Sequence, residues 1–223
     1  MAHEVLGPCS LKQEMFLSSQ ETADITLFGG GAGSGKTLMG VLDFLQYVED
    51  PAFRGVITRR TTPQLVGPGG PQQKCDELFK KLYPTVRWQE KKSKFIFPSG
   101  AEVFLRHFEH ETNKDDFQGW EVSKFLVDEG QQYTEEMVVY LMSRMRNPAS
   151  KCKPHMKITC NPDKNSFLRK WVDWYLLEDG LPDPAKAGKL RYFVRLDNTM
   201  HWGDSREELL EKFGRRDAKG DLS

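Results

Sequence analysis

The feature that most restricts how this chain can fold is the run Gly30, Gly31, Ala32, Gly33, Ser34, Gly35, Lys36 and Thr37, set between two apolar stretches of different period. Ahead of it, Ile25 to Phe28 is a short apolar block and predicts a buried strand. Behind it, Leu38, Val41, Leu42, Leu45 and Val48 recur at helical spacing and predict a helix with one apolar face. The run fits G-x-x-x-x-G-K-[ST] in the strand, loop and helix context that the pattern requires. Glycines let successive backbone N–H groups turn inward without Cβ clashes, and the helix N-terminus adds the positive end of its dipole. Lys36 is expected to reach the β and γ phosphates of a nucleotide, and Thr37 to ligate magnesium. A plain glycine turn before a helix explains the glycines but not the Lys-Thr pair at its offset.

The remaining pattern repeats the alternation. Val56 to Thr58, Phe125 to Val127, Met156 to Cys160 and Leu190 to Leu196 read as strands, and Phe95 to Phe97 and Val103 to Leu105 as two strands joined by a tight turn at Pro98, Ser99 and Gly100. Cys75, Leu78, Phe79 and Leu82 form a helical stripe. Thr134 is placed to cap a helix with Glu135 and Glu136 in its first turn and a core stripe of Met137, Val138, Leu141 and Met145, stopping near Asn147 and Pro148. Another amphipathic helix is expected around Phe167 to Leu176, and Ser205 with Glu208 makes a capping box for the last one. Strands alternating with helices imply an α/β fold, three layers deep, around a mainly parallel sheet.

With 223 residues, 38% of them apolar, the chain suits one domain over residues 1–214, followed by a polar, linker-like stretch at 215–223. Lys plus Arg and Asp plus Glu both number 32, so no overall basic field holds it on nucleic acid and any DNA contact must be local or summed over subunits. Cys9, Cys75, Cys152 and Cys160 lack disulfide-framework or zinc spacing, which suits a reducing cytosol. The chain has neither a long apolar run nor the basic and apolar regions of a signal peptide, so a soluble intracellular protein is expected.

The second chemical signal is Phe125-Leu-Val-Asp128-Glu129, an apolar strand that delivers two acids to a sheet's carboxyl edge. Asp128 is the expected magnesium ligand, and Glu129 the base that orients and deprotonates an attacking water, a role a hydrolase needs and a kinase does not. The 92 positions between Lys36 and Asp128 leave room for a further strand between the motifs, as in the RecA-like (ASCE) branch of P-loop folds. Asn113 to Asp116 matches the guanine motif N-K-x-D, but it precedes Asp128 instead of following it and reads as a loop. Asn161 ends a strand in Thr159-Cys-Asn-Pro162, either as a γ-phosphate sensor or as a turn residue. Arg144 and Arg146 flank a helix stripe, as a solvated edge or as arginine fingers toward a neighbouring subunit. Arg59 and Arg60 follow a strand and either meet DNA phosphates or cap the sheet edge. His107 and His110 with Glu109 and Glu111 lack ligand spacing and read as a solvated strand end.

Together these segments resemble the ATPase domain of the large terminase subunit of tailed bacteriophages. The resemblance rests on Leu11 to Phe16 with Gln13 as an adenine-contacting Q-motif, Gly30 to Thr37, Thr58 to Leu65, Phe97 to Ala101, Phe117 to Gly119, Val127 to Glu129, Ser143 to Arg146 and Thr159 to Pro162. It implies ATP and Mg2+ as substrate and cofactor, Asn161 in the motif that couples hydrolysis to movement, and Arg144 or Arg146 as a finger acting in trans. It also implies double-stranded DNA, a homo-oligomeric ring on a portal protein and a small terminase subunit as partners, in the cytoplasm of an infected bacterium. The RNase H-like nuclease domain of such proteins is not expected within these residues. A RecA-like helicase or other nucleic-acid translocase shares every catalytic motif; a small-molecule kinase or a nucleotide-gated assembly module would differ in acceptor-free ATP turnover.

Overall fold

The apolar blocks do become strands, and their order across the sheet explains why they carry so few polar residues. The computed structural model describes residues 7–31, 33–110, 113 and 116–214. In it β1 (Ile25–Gly29), β2 (Arg54–Arg59), β3 (Arg87–Gln89), β4 (Lys94–Ile96), β5 (Glu102–His107), β6 (Lys124–Val127) and β7 (His155–Cys160) form one sheet in the order β1-β7-β6-β2-β5-β4-β3. The pairs among β1, β7, β6, β2 and β5 are parallel, whereas β3 and β4 add on antiparallel at one edge. A parallel sheet is covered on both faces, which is why β6 reads as an unbroken buried run. The strand that lies between β1 and β6 is β7, which follows Asp128 in sequence; the 92 positions between the motifs instead supply β2 to β5, which lie on the far side of β6 from β1.

Register sorts the side chains onto two faces. Ile57, Val103, Leu105 and Leu126 share one face with Val41, Phe44, Cys75, Leu78 and Phe79 in the core beneath α2 (Lys36–Leu42) and α4 (Pro71–Leu82). Two further helices, α1 (Leu11–Ser18) and α3 (Thr62–Val66), lie on the same side, with contacts from α1 to α2 and from α3 to α4. On the other face Phe117 meets Phe125, and Phe108 meets Tyr140 of α5 (Glu135–Met142). The Thr134 hydroxyl accepts from the Met137 N–H at 3.3 Å, the expected cap, worth about 1 kcal/mol.

That helix stops at Met142, short of the expected Asn147. The Ser143 hydroxyl donates to the Tyr140 carbonyl at 2.7 Å, and the Arg144 carbonyl accepts from the Val122 N–H at 3.0 Å. Both carbonyls are then engaged outside a continuing helix, so Met145 lies past it and only half-buried.

By contact the chain divides into two compact units, 1–171 and 172–223, with the division falling within α6 (Leu168–Val172). In the second, β8 (Tyr192–Leu196) pairs antiparallel with β9 (Thr199–Gly203), and Leu209 of α7 (Arg206–Phe213) is buried beside Gly203. The block at Leu190 to Leu196 therefore does not extend the parallel alternation. Asp197 and Asn198 both take positive φ, 47° and 62°, the two-residue turn that folds adjacent strands back on each other. Residues 215–223, read from sequence as a linker, lie outside the described residues. No helix among the described residues is long and apolar enough to cross a membrane.

Candidate functional site

Three contacts in register dock α2 onto β6. Thr37 meets Asp128, Gly40 faces Leu126, and Asp43, just past the helix end, meets Lys124. Helix positions three apart thus face strand positions two apart, and the glycine-rich loop is brought to the carboxyl edge of the sheet beside the end of β6.

Within the loop, Gly33 and Gly35 have φ of 78° and 76°, a region in which glycine carries no Cβ penalty. The Lys36 ammonium donates to the carbonyls of Gly30 and Gly31, each at 2.8 Å, and to the Ser34 hydroxyl at 3.2 Å. The Gly30 N–H is tied to the Cys160 carbonyl of β7 at 3.2 Å. Ala32, read from sequence as part of the cradle, lies outside the described residues. Gln13 comes in from α1: its side-chain amide donates to the Ser34 carbonyl at 3.3 Å, and its carbonyl oxygen accepts from the Cys9 N–H at 2.6 Å.

The acids stand opposite. The Thr37 hydroxyl donates to the Asp128 carboxylate, 3.0 and 3.1 Å from its two oxygens, and the Thr159 hydroxyl donates to it from β7. Asp128 is 1% exposed, so these donors and the Arg59 Nε at 2.7 Å balance a buried charge. Hydroxyl and carboxylate oxygens are the hard donors that suit Mg2+, so Thr37 and Asp128 fit that ion. Glu129 has φ of 60°, an uncommon left-handed setting for a non-glycine residue. Its Oε2 accepts from Gln131 Nε2 at 2.7 Å and from Asn161 Nδ2 at 3.3 Å, and its Oε1 lies 3.9 Å from the Arg59 guanidinium. The Gln131 side-chain carbonyl in turn accepts the Asn161 N–H at 3.2 Å, and the buried Asn161 Oδ1 has no partner among the described residues.

A family model for the large terminase subunit, T4-like-virus type, N-terminal part, matches residues 27–218. The chain belongs to this terminase family.

Solved terminases give the same fold. The large terminase of a thermophilic bacteriophage superposes with a TM-score of 0.57 at 17% identity, over 70% of this chain and 40% of that one. The HK97 bacteriophage large terminase gives 0.58 at 15%, over 75% and 36%. The N-terminal domain of the DNA packaging ATPase of bacteriophage phi29 gives 0.51 at 14%, over 84% and 92%. The chain thus spans less than half the length of the first two proteins. No curated protein sequence matches it.

The terminase fold brings Gln13, Gly30, Gly31, Gly33, Ser34, Gly35, Lys36, Thr37, Asp128, Glu129 and Asn161 to one sheet edge. It leaves Arg144 and Arg146 elsewhere: the Arg144 carbonyl is bonded to Val122, at the amino end of β6, and its guanidinium stacks 5.1 Å from the Tyr140 ring. Three contributors make contacts here that the sequence reading did not assign to them, although Arg59 falls within Thr58 to Leu65 and Thr159 opens Thr159 to Pro162. Arg59 turns toward the acids, Gln131 links Glu129 to Asn161, and Thr159 holds both Asp128 and the Glu129 N–H, the latter at 3.2 Å. The one available signal is parity, since Arg59 and Thr159 share a sheet face with Asp128. Arg60, by contrast, reaches the Phe108 carbonyl at 3.3 Å. Among the described residues no three His, Cys, Asp or Glu side chains converge on a metal-sized site, His107 and His110 included.

Proposed function

We propose that this domain is the ATPase of a DNA-packaging motor, coupling ATP hydrolysis to movement of double-stranded DNA into a procapsid. The observation that carries this reading is the pairing of Thr37 with Asp128 at 3.0 Å beneath the loop that holds Lys36, with Glu129 alongside. The thermophilic-phage terminase has been solved with ADP and with ATP-γ-S, and the phi29 relative is described as a packaging ATPase, which supports nucleotide as the ligand here.

In this reading the Gly30–Thr37 loop and Lys36 grip the triphosphate, and Gln13 meets the base. Thr37 and Asp128 would hold Mg2+, which would supply charge neutralisation to the phosphates. Glu129 takes the proton of the attacking water, and Gln131 and Asn161 orient its carboxylate. Double-stranded DNA, a ring of copies on a portal and a small terminase subunit are the partners, in the cytoplasm of an infected bacterium.

Glu129→Gln tests the assignment of the base. Binding of a fluorescent ATP analogue should stay within about twofold, while phosphate release falls by roughly 10²-fold or more. Turnover close to that of the unsubstituted domain would remove Glu129 from the chemistry.

A further inference from the structure

Well below the nucleotide edge, the same sheet face holds a buried charge cluster that neither hydrolysis nor packing explains. Asp43, fully buried at the end of the α2 segment, receives hydrogen bonds from two lysines, Lys124 of β6 and Lys157 of β7. Lys157 lies 2.9 Å from Asp43 Oδ1 and continues outward to the Phe16 carbonyl, to the Leu17 carbonyl at 3.2 Å and to Gln20 Oε1 at 2.9 Å. Phe16 and Leu17 are in the last turn of α1, where helix carbonyls lack partners and a cation is favoured.

Few other contacts hold α1: Gln46 Nε2, bonded to Asp43 Oδ1 at 2.6 Å, also donates to the Leu17 carbonyl at 3.1 Å, and the Ser19 hydroxyl donates to the Phe16 carbonyl at 2.8 Å. The helix is eight residues long, too short to persist alone, and Phe16 is its one buried side chain; Leu11 and Met15 are 71% and 49% exposed. Phe16 stacks on Phe28 of β1, ring centres 4.6 Å apart, and lies 4.7 Å from the Lys157 ammonium. One stacked ring leaves a helix free to slide and rotate over an apolar surface, because burial is not directional. Carbonyls fastened to an ammonium that is itself rooted in Asp43 fix both motions. One turn upstream, Gln13 reaches the Ser34 carbonyl, and a Cβ at Gly35 would meet its amide nitrogen at 3.3 Å.

We propose that Lys157 is a positioning residue for recognition of the nucleotide base: anchored in Asp43, it clamps the end of α1 and thereby sets Gln13 against the loop. This rests on the reading of Gln13 as the base contact and of the Gly30–Thr37 loop as the triphosphate grip. Lys157 also sits two residues before Thr159 on one face of β7, so the strand that steadies Asp128 also steadies the base-binding helix. Burial lowers the Lys157 pKa to about 7.

The test compares a ligand that has a base with one that has none. In equilibrium titrations with Mg2+, Lys157→Met should weaken ATP binding about tenfold and leave inorganic tripolyphosphate within twofold. Gln13→Ala should show the same selective loss, and the double variant no more than the single ones, because both act through one contact. Gln20→Ala removes an outer partner of Lys157 without touching the core and should give a smaller loss of the same kind, so a poorly folding Lys157→Met does not end the test. Equal weakening of ATP and tripolyphosphate, or additive losses in the double variant, would overturn the positioning role. Failure of the unsubstituted domain to bind either ligand would instead strike at the nucleotide reading itself.

Discussion

The His155 ring lies inside the sheet face with Nδ1–H donated to the Lys153 carbonyl at 2.8 Å and with Nε2 buried and unpartnered among the described residues. Burial first, then the nearby Lys124 charge, push its pKa down from 6.5 to about 3. Between these values the unfolded chain binds a proton that the folded chain refuses, so stability falls as pH drops below 6.5 and this contribution is complete above it. The slope is at most about 1.4 kcal/mol per pH unit from this group. Urea unfolding at pH 7 and pH 5 should therefore show a larger acid loss for the natural domain than for His155→Gln; equal losses would mean that the ring titrates normally when folded. Single residues also mark the limit of reading from sequence. Lys36, Thr37, Asp128 and Glu129 are legible because their chemistry is tied to fixed local spacing, whereas Arg59 reads equally as a DNA contact or a cap on the sheet edge. Its pairing with Asp128 spans 69 positions and exists because β2 and β6 lie side by side.

At the scale of elements, α2 and β6 act as one device, and the flat point between them is Gly40. A Cβ there would lie 2.6 and 2.8 Å from the Leu126 methyls, and Leu126 is fully buried and cannot swing aside. Gly40→Ala gains about 1 kcal/mol of helix propensity but must lift α2 off the strand, an overpacking cost of about 1–3 kcal/mol. The net result should be lower stability by denaturant unfolding, together with weaker ATP binding, because the Thr37–Asp128 contact lies one turn away. A variant more stable than the natural domain would show that the helix docks more loosely. Elements are legible where a cap or period is local, as at Thr134, and obscure where distant partners decide. The early end of α5 depends on Val122 taking the Arg144 carbonyl, and β8 belongs to a hairpin because Asp197 and Asn198 turn the chain back, a two-residue signal that the stronger apolar run masks.

Across the whole molecule the two candidate arginine fingers and the acids occupy opposite edges of the sheet. Val122, bonded to Arg144, is six residues before Asp128 in nearly extended chain, about 20 Å away, farther than an arginine side chain reaches. Any role for Arg144 or Arg146 in hydrolysis must therefore be exerted on another copy. If copies assemble in the proposed ring, Arg144→Ala and Arg146→Ala should leave ATP binding and turnover of isolated subunits unchanged, and one of them should lower turnover of the assembly by roughly 10³-fold or more. A loss already present in dilute, monomeric protein would exclude action in trans.

The sequence by itself determined the glycine-rich loop between strand and helix, the paired acids at a strand end and the layered α/β class, because each depends on residues within a few positions of one another or on a period. Only the tertiary structure decided which strands are neighbours, and with that the company these acids keep. Arg59 and Thr159 reach Asp128, and Lys157 reaches both Asp43 and the end of α1, through parallel pairings between strands distant in sequence. The physical reason is that strand order is fixed by burying both faces of the sheet at once, a condition on the whole chain that no local pattern contains.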